Sequence, residues 1–171
     1  MIHHHIGNLF DRFANAAYML ATEEKLCLDN MQHIIMHGCN AQGKMGSGFA
    51  KELRSRYPGA YEAYEKQHQT SGLVLGHNVY YVPEVERGHH VIVSNCITQE
   101  NYGYDGKKYV SYDAIDECMI RLNDVIGKIG TNMHLHFPKL GAELGGGSWN
   151  VIQEIIDDRI VNAHKHLYTL K

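Results

Sequence analysis

The sequence predicts an α/β fold, in which helices are layered on a sheet. Apolar runs alternate with amphipathic stretches along the chain. Two glycine-rich segments, GCNAQGKMGSG (residues 38–48) and FPKLGAELGGGSW (residues 137–149), each follow an apolar run and precede a helical pattern. In α/β sheets such strand-to-helix turns gather at the carboxyl edge, where ligands bind.

The elements follow in chain order. Residues 1–6, MIHHHI, read as a strand, and residues 13–20 as a candidate helix, whereas residues 21–32 carry no clear pattern. The run HIIM predicts a strand at 33–36, with helices at 48–56 and 60–68 after the first glycine loop. Strands are expected at 78–82, 90–96, 133–137 and 166–170 from their β-branched and aromatic content. Between them, 112–126 and 149–161 read as helices. In the former, Ile115, Cys118, Met119, Leu122 and Val125 recur at helical spacing, Ser111 is placed to cap it, and Asp113, Asp116 and Glu117 load its positive end.

Composition bounds the function. The 171 residues suit one domain over 1–171, and 44% hydrophobic with 20% charged residues is ordinary for a globular chain. A formal net charge of −3 speaks against general nucleic-acid binding. Cys27, Cys39, Cys96 and Cys118 form no C-x-x-C pair and read as small buried hydrophobes in a reducing compartment. No signal peptide or membrane-length apolar run is seen, so the expectation is a cytoplasmic monomer that does not contact membrane. Among 13 histidines, His134 with His136 share one face of a strand, and His164 with His166 have a similar spacing. Zinc sites need three or four convergent ligands, so structural or surface roles are expected and no metal.

The segment GCNAQGKM matches the P-loop pattern until Met45, which has no hydroxyl for magnesium, and no later strand ends in the supporting acid. Gly43, Gly46 and Gly48 are also wrongly spaced for a dinucleotide fingerprint. The chemistry still points to phosphate. These glycines let backbone approach a ligand, and the following helix directs free N–H groups and its positive end at it. The second loop, with Gly141, Gly145, Gly146 and Gly147, repeats the device and would complete a two-sided diphosphate clamp. The bland alternative is a pair of glycine-rich turns with no ligand.

HGCNAQGKMGSGFAKELRSRYPGAYEAY and FPKLGAELGGGSW resemble the two ligand loops of macro domains, most of all the branch of ADP-ribose 1″-phosphate phosphatases. The resemblance runs from IGNLF to the C-terminus, with an enlarged segment near residues 10–32. It implies a three-layer α/β/α fold with a central mixed sheet, ADP-ribose or its 1″-phosphate as ligand, and no metal or cofactor.

By the same resemblance, Asn8 takes the place of the acid that accepts from the adenine amino group, and the Leu9 N–H faces the ring. Asn40 matches the asparagine that holds the distal ribose. Gly46, Ser47 and Gly48 match the first phosphate loop; Gly141, Ala142, Glu143, Leu144, Gly145 and Gly146 match the second, although Glu143 stands where glycine is common. Thr98 is a further expected contact, and the tyrosines of the segment TQENYGYDGKKY offer Tyr102 or Tyr104 to cover a sugar or stack on a base. His37, three residues before Asn40, is expected to act as nucleophile or general base because histidine titrates near neutrality. Asp105, in the segment TQENYGYDGKKY, which reads as a lid, is a candidate acid.

Related branches that remove ADP-ribose from glutamate use a lysine and an aspartate where this chain has Gln99 and Gly145. Another uses an aspartate where Phe49 and Ala50 stand. The expectation is therefore hydrolysis of the phosphate monoester of ADP-ribose 1″-phosphate. The alternatives are an ADP-ribose reader without turnover, or a hydrolase of ADP-ribosylated protein or nucleic acid.

Overall fold

The computed structural model describes residues 1–11, 32–82 and 90–171. Among them one sheet is built from β1 (Ile2–Ile6), β2 (Gln32–Asn40), β3 (Asn78–Tyr81), β4 (His90–Gln99), β5 (Met133–Phe137) and β6 (Ala163–Thr169). The strand order is β1-β6-β5-β2-β4-β3. Only β3 runs antiparallel to its neighbour β4, so the sheet is mixed. The helices are α1 (Gly48–Arg56), α2 (Pro58–Thr70), α3 (Tyr112–Ile129) and α4 (Trp149–Arg159).

The period-two alternation of β2 sorts its side chains into two layers. Ile34 and Met36 pack with Met119, Leu122, Ile152 and Ile156 from α3 and α4. Ile35 packs on the opposite face with Leu53 of α1 and Ala60 of α2. Helices thus cover both faces, giving the three expected layers. Ser111 caps α3 by accepting from the Ala114 N–H at 3.1 Å. The buried stripe of α3 ends on Ile126 rather than Val125, one position further round the helix.

Several boundaries differ from the expected ones. β2 and β4 run on to Asn40 and Gln99 because HGCN and ITQ continue to pair with each other, despite the poor strand propensity of Gly and Asn. α2 starts at Pro58, where a missing N–H costs nothing. The expected helix at 13–20 and Cys27 lie outside the described residues; Cys39, Cys96 and Cys118 are free and buried.

The layer on the α1 side of β1, β6, β5 and β2 is not purely apolar. Adjacent strands put histidines in register there. His166 bridges His5 and His134, at 2.9 Å to each. His136 likewise joins His33 and the Tyr168 hydroxyl, again at 2.9 Å to each. The rings also stack, with His136 and His166 centroids 5.0 Å apart. These histidines therefore have one another as partners.

Candidate ligand-binding cleft

β5, β2 and β4 are adjacent and parallel, so their carboxyl ends open side by side. A cavity of about 370 Å³ lies there, between the loop after β2, the loop after β5 and the segment after β4. Of the residues expected in the site, His37, Asn40, Gly46, Ser47, Gly48, Tyr102, Gly141, Glu143, Leu144 and Gly145 line it.

The first loop is shaped from beneath. Met45, which replaces the P-loop hydroxyl residue, is only 2% exposed and packs with Cys39, Ala41, Tyr64 and Ile97. It is a core anchor. Gly48 needs its left-handed φ of 59° to turn the chain into α1. Ser47 precedes α1 with extended backbone and makes no side-chain cap, which leaves the first-turn N–H groups without that internal partner. A Cβ on Gly46 would meet nothing within 4 Å, so this glycine borders open space.

Asn40 does more inside the protein than the resemblance implies. Its Oδ1 accepts from the Gln42 and Lys44 N–H groups at 3.0 and 3.3 Å and from the Tyr64 hydroxyl at 3.0 Å. Its Nδ2 donates to the Lys44 carbonyl at 2.9 Å. The side chain thus folds the first loop, with at most one N–H left for a ligand.

His37 stands on the cavity floor but is only 1% exposed. Asn95 Nδ2 donates to the Ala60 carbonyl at 3.1 Å, which turns its Oδ1 towards His37 Nε2 at 2.6 Å. His37 is therefore the Nε2–H tautomer, with an unprotonated Nδ1. Burial lowers its pKa to about 4, the bond to Asn95 only partly opposing this. The expectation that it titrates near neutrality is not met, because the imidazolium would lose its water.

The segment after β4 lies across both loops. Tyr104 donates to Ser47 Oγ at 3.0 Å, and the Tyr109 and Val110 N–H groups reach the Gly145 carbonyl at 2.8 and 3.0 Å. Asp105 sits on its outer side and does not line the cavity. Its carboxylate accepts from the Tyr109 hydroxyl at 2.8 Å and the Lys107 N–H at 3.2 Å, and these bonds hold its pKa below the usual carboxylate value. An ionised, occupied carboxylate outside the cleft is poorly placed as a proton donor.

The glycines of the second loop serve packing as well as access. A Cβ on Gly145 would stand 2.7 Å from the Gly141 carbonyl oxygen, and one on Gly146 2.5 Å from the Lys107 carbonyl oxygen. Gly146 therefore faces the lid rather than the cavity. Ala142 also lies outside the cavity lining. Thr98 does too; it is fully buried, its hydroxyl unpartnered and 2.9 Å from where a Cβ on Gly38 would stand.

Asn8 and Leu9 are not brought to the cavity. Asn8 Nδ2 donates to Glu52 Oε1 and its Oδ1 accepts from the Phe10 N–H, both at 2.9 Å. Leu9 is 3% exposed, in the core beside Phe10 and Leu53. Phe49 stands between these residues and the cleft, its ring 5.0 Å from Phe10 and 5.8 Å from His37.

Sequence reasoning missed the cations. Among the described residues, Lys44, Arg54 and Lys139 line the cavity against Glu143 of opposite sign. Lys44 and Lys139 stand inside the two loop motifs and were legible there as one basic residue per loop. Arg54 and Tyr61 lie on α1 and α2, and no spacing in the sequence joins them to the loops.

No protein-family model matches the chain. It is 29% identical over 123 residues to an uncharacterized 17.5 kDa protein of the tk-vs intergenic region of Enterobacteria phage T4, covering 72% of this chain and 77% of that one. A macrodomain protein from Streptomyces coelicolor superposes with a TM-score of 0.69 at 25% identity over 99% of both chains. The Thermosipho africanus DarTG structure, solved in complex with ADP-ribose, superposes with a TM-score of 0.64 at 17% identity, over 81% of this chain and 41% of that one. With its mixed sheet between two helical layers, the chain has the macrodomain fold.

Proposed function

We propose that the cleft binds ADP-ribose across the two glycine loops and that the protein hydrolyses the phosphate monoester of ADP-ribose 1″-phosphate. The observation that carries this reading is the uncapped start of α1 opening on the cleft beside Gly46. Free N–H groups and the helix dipole there suit a diphosphate. The likeness in fold to a structure holding ADP-ribose supports the same ligand.

Hydrolysis consumes one water, breaks the bond from phosphorus to the ribose oxygen and releases ADP-ribose and inorganic phosphate. His37 is neutral at physiological pH, so its role is that of an unprotonated base or nucleophile through Nδ1, not a proton donor. Its burial, and the outward position of Asp105, favour a second reading in which ADP-ribose is bound without turnover.

Phosphate release from ADP-ribose 1″-phosphate separates the two. His37→Gln keeps an N–H to offer Asn95 and removes the imidazole. The expected result is a loss of roughly 10²-fold in release rate with ADP-ribose affinity unchanged. No release by the wild type would leave the reader; release unaltered in the variant would move the chemistry to another group.

A further inference from the structure

Arg54 and Arg56 share helix α1 but differ in company. Arg56 pairs with Asp11 at 3.4 Å and Glu52 at 3.6 Å. Arg54 has no carboxylate within ion-pairing distance among the described residues, and neither has Lys44; both line the cleft. The Arg54 guanidinium lies 3.6 Å over the Tyr61 ring. Stacking of this kind fixes the plane of the group and leaves its edge N–H donors free, the arrangement suited to a phosphate.

Helix geometry says which face of α1 is turned to the cleft. At about 100° per residue, positions 50 and 54 fall on one face of α1 and 52 on the far side. Glu52 holds Asn8 on that far side, whereas Ala50 and Arg54 line the cavity with Tyr61. Tyr61 packs 6.4 Å from Tyr64, whose hydroxyl reaches Asn40, and Asn40 in turn binds the Lys44 backbone. Arg54 and Lys44 are thus linked through packed side chains to Asn40, on the face of α1 turned away from Asn8. The diphosphate has its own donors at the start of α1, so these cations are surplus to ADP-ribose itself.

We propose that Arg54 and Lys44 form a second anion subsite, which takes a terminal phosphate monoester attached to the distal ribose. This rests on ADP-ribose lying in the cleft as proposed above. The subsite makes the protein select a phosphorylated ADP-ribose over ADP-ribose.

The test is rapid-mixing binding of ADP-ribose and of ADP-ribose 1″-phosphate, which reads affinity before turnover, on wild type and Arg54→Gln. Arg54 is exposed and glutamine is a good helix former, so the variant folds. The expected result is a preference of the wild type for the phosphorylated ligand by about ten-fold or more, as charge-assisted hydrogen bonds give. Arg54→Gln abolishes that preference while ADP-ribose affinity stays within about two-fold. Equal wild-type affinity for both ligands overturns the subsite alone, as does a preference that survives in Arg54→Gln or an equal weakening of both ligands. Wild type that binds neither ligand overturns the reading of the cleft together with the subsite.

Discussion

Asn8 stands where the resemblance leads one to expect an acid, and its neighbour explains the amide. Glu52 Oε1 lies 2.9 Å from Asn8 Nδ2, a place where a carboxylate would meet another carboxylate. An aspartate there would keep the Phe10 N–H bond but exchange the second hydrogen bond for repulsion. Asn8→Asp is therefore expected to destabilise the protein by about 1–2 kcal/mol near neutral pH. Glu52→Gln should restore most of it, because a glutamine amide can donate to the new carboxylate. Urea denaturation of the two single variants and the double variant gives the coupling; additive losses would show that the two side chains do not interact. At this scale the sequence was readable for the loop residues and unreadable for their partners. That Asn40 folds its own loop, that Met45 is core and that Asn8 faces Glu52 all depend on residues brought close by the sheet.

The sheet elements were legible because apolar runs and β-branched residues mark strands, whereas their ends were less so. β2 extends to Asn40 only because β4 runs beside it as far as Gln99, a pairing no local pattern reveals. The histidine layer was half legible. Spacing put His134 with His136 on one face and set His164 with His166 at a similar interval, while the bonds between β1, β6, β5 and β2 follow from strand order. This layer makes stability depend on pH. Burial first, and then the neighbouring imidazoles, hold His136 well below its ordinary value and His166 at about 3; burial lowers His37 to about 4. A histidine whose folded pKa is depressed binds fewer protons folded than unfolded, so stability is full above about 6.5 and falls as pH drops towards the folded value. His37 alone accounts for roughly 2 kcal/mol by about pH 5. A fall of at least that size in urea stability between about pH 7.5 and about pH 5 is expected. A flat profile would mean that these imidazoles are protonated in the folded protein.

Over the whole molecule, a net charge of −3 coexists with a cleft that carries Lys44, Arg54 and Lys139 against Glu143. That separation suits a small anionic ligand drawn into one place, and not a polyanion lying along the surface. The fold class and the two loops could be read from sequence, since glycine spacing and strand-to-helix order are local. The cationic flank could not, because Arg54 and Tyr61 join the cleft only through the packing of α1 against α2. The central claim is that ADP-ribose occupies the space beside Gly46. Valine at position 46 meets no obstacle at its Cβ and needs no left-handed backbone, so it should leave the melting temperature unchanged while its side chain fills the ligand's space. Titration calorimetry of ADP-ribose into wild type and Gly46→Val tests this most directly. Saturable one-to-one binding by the wild type and none by the folded variant is the predicted result; undiminished affinity in Gly46→Val, or no binding by the wild type, would contradict it.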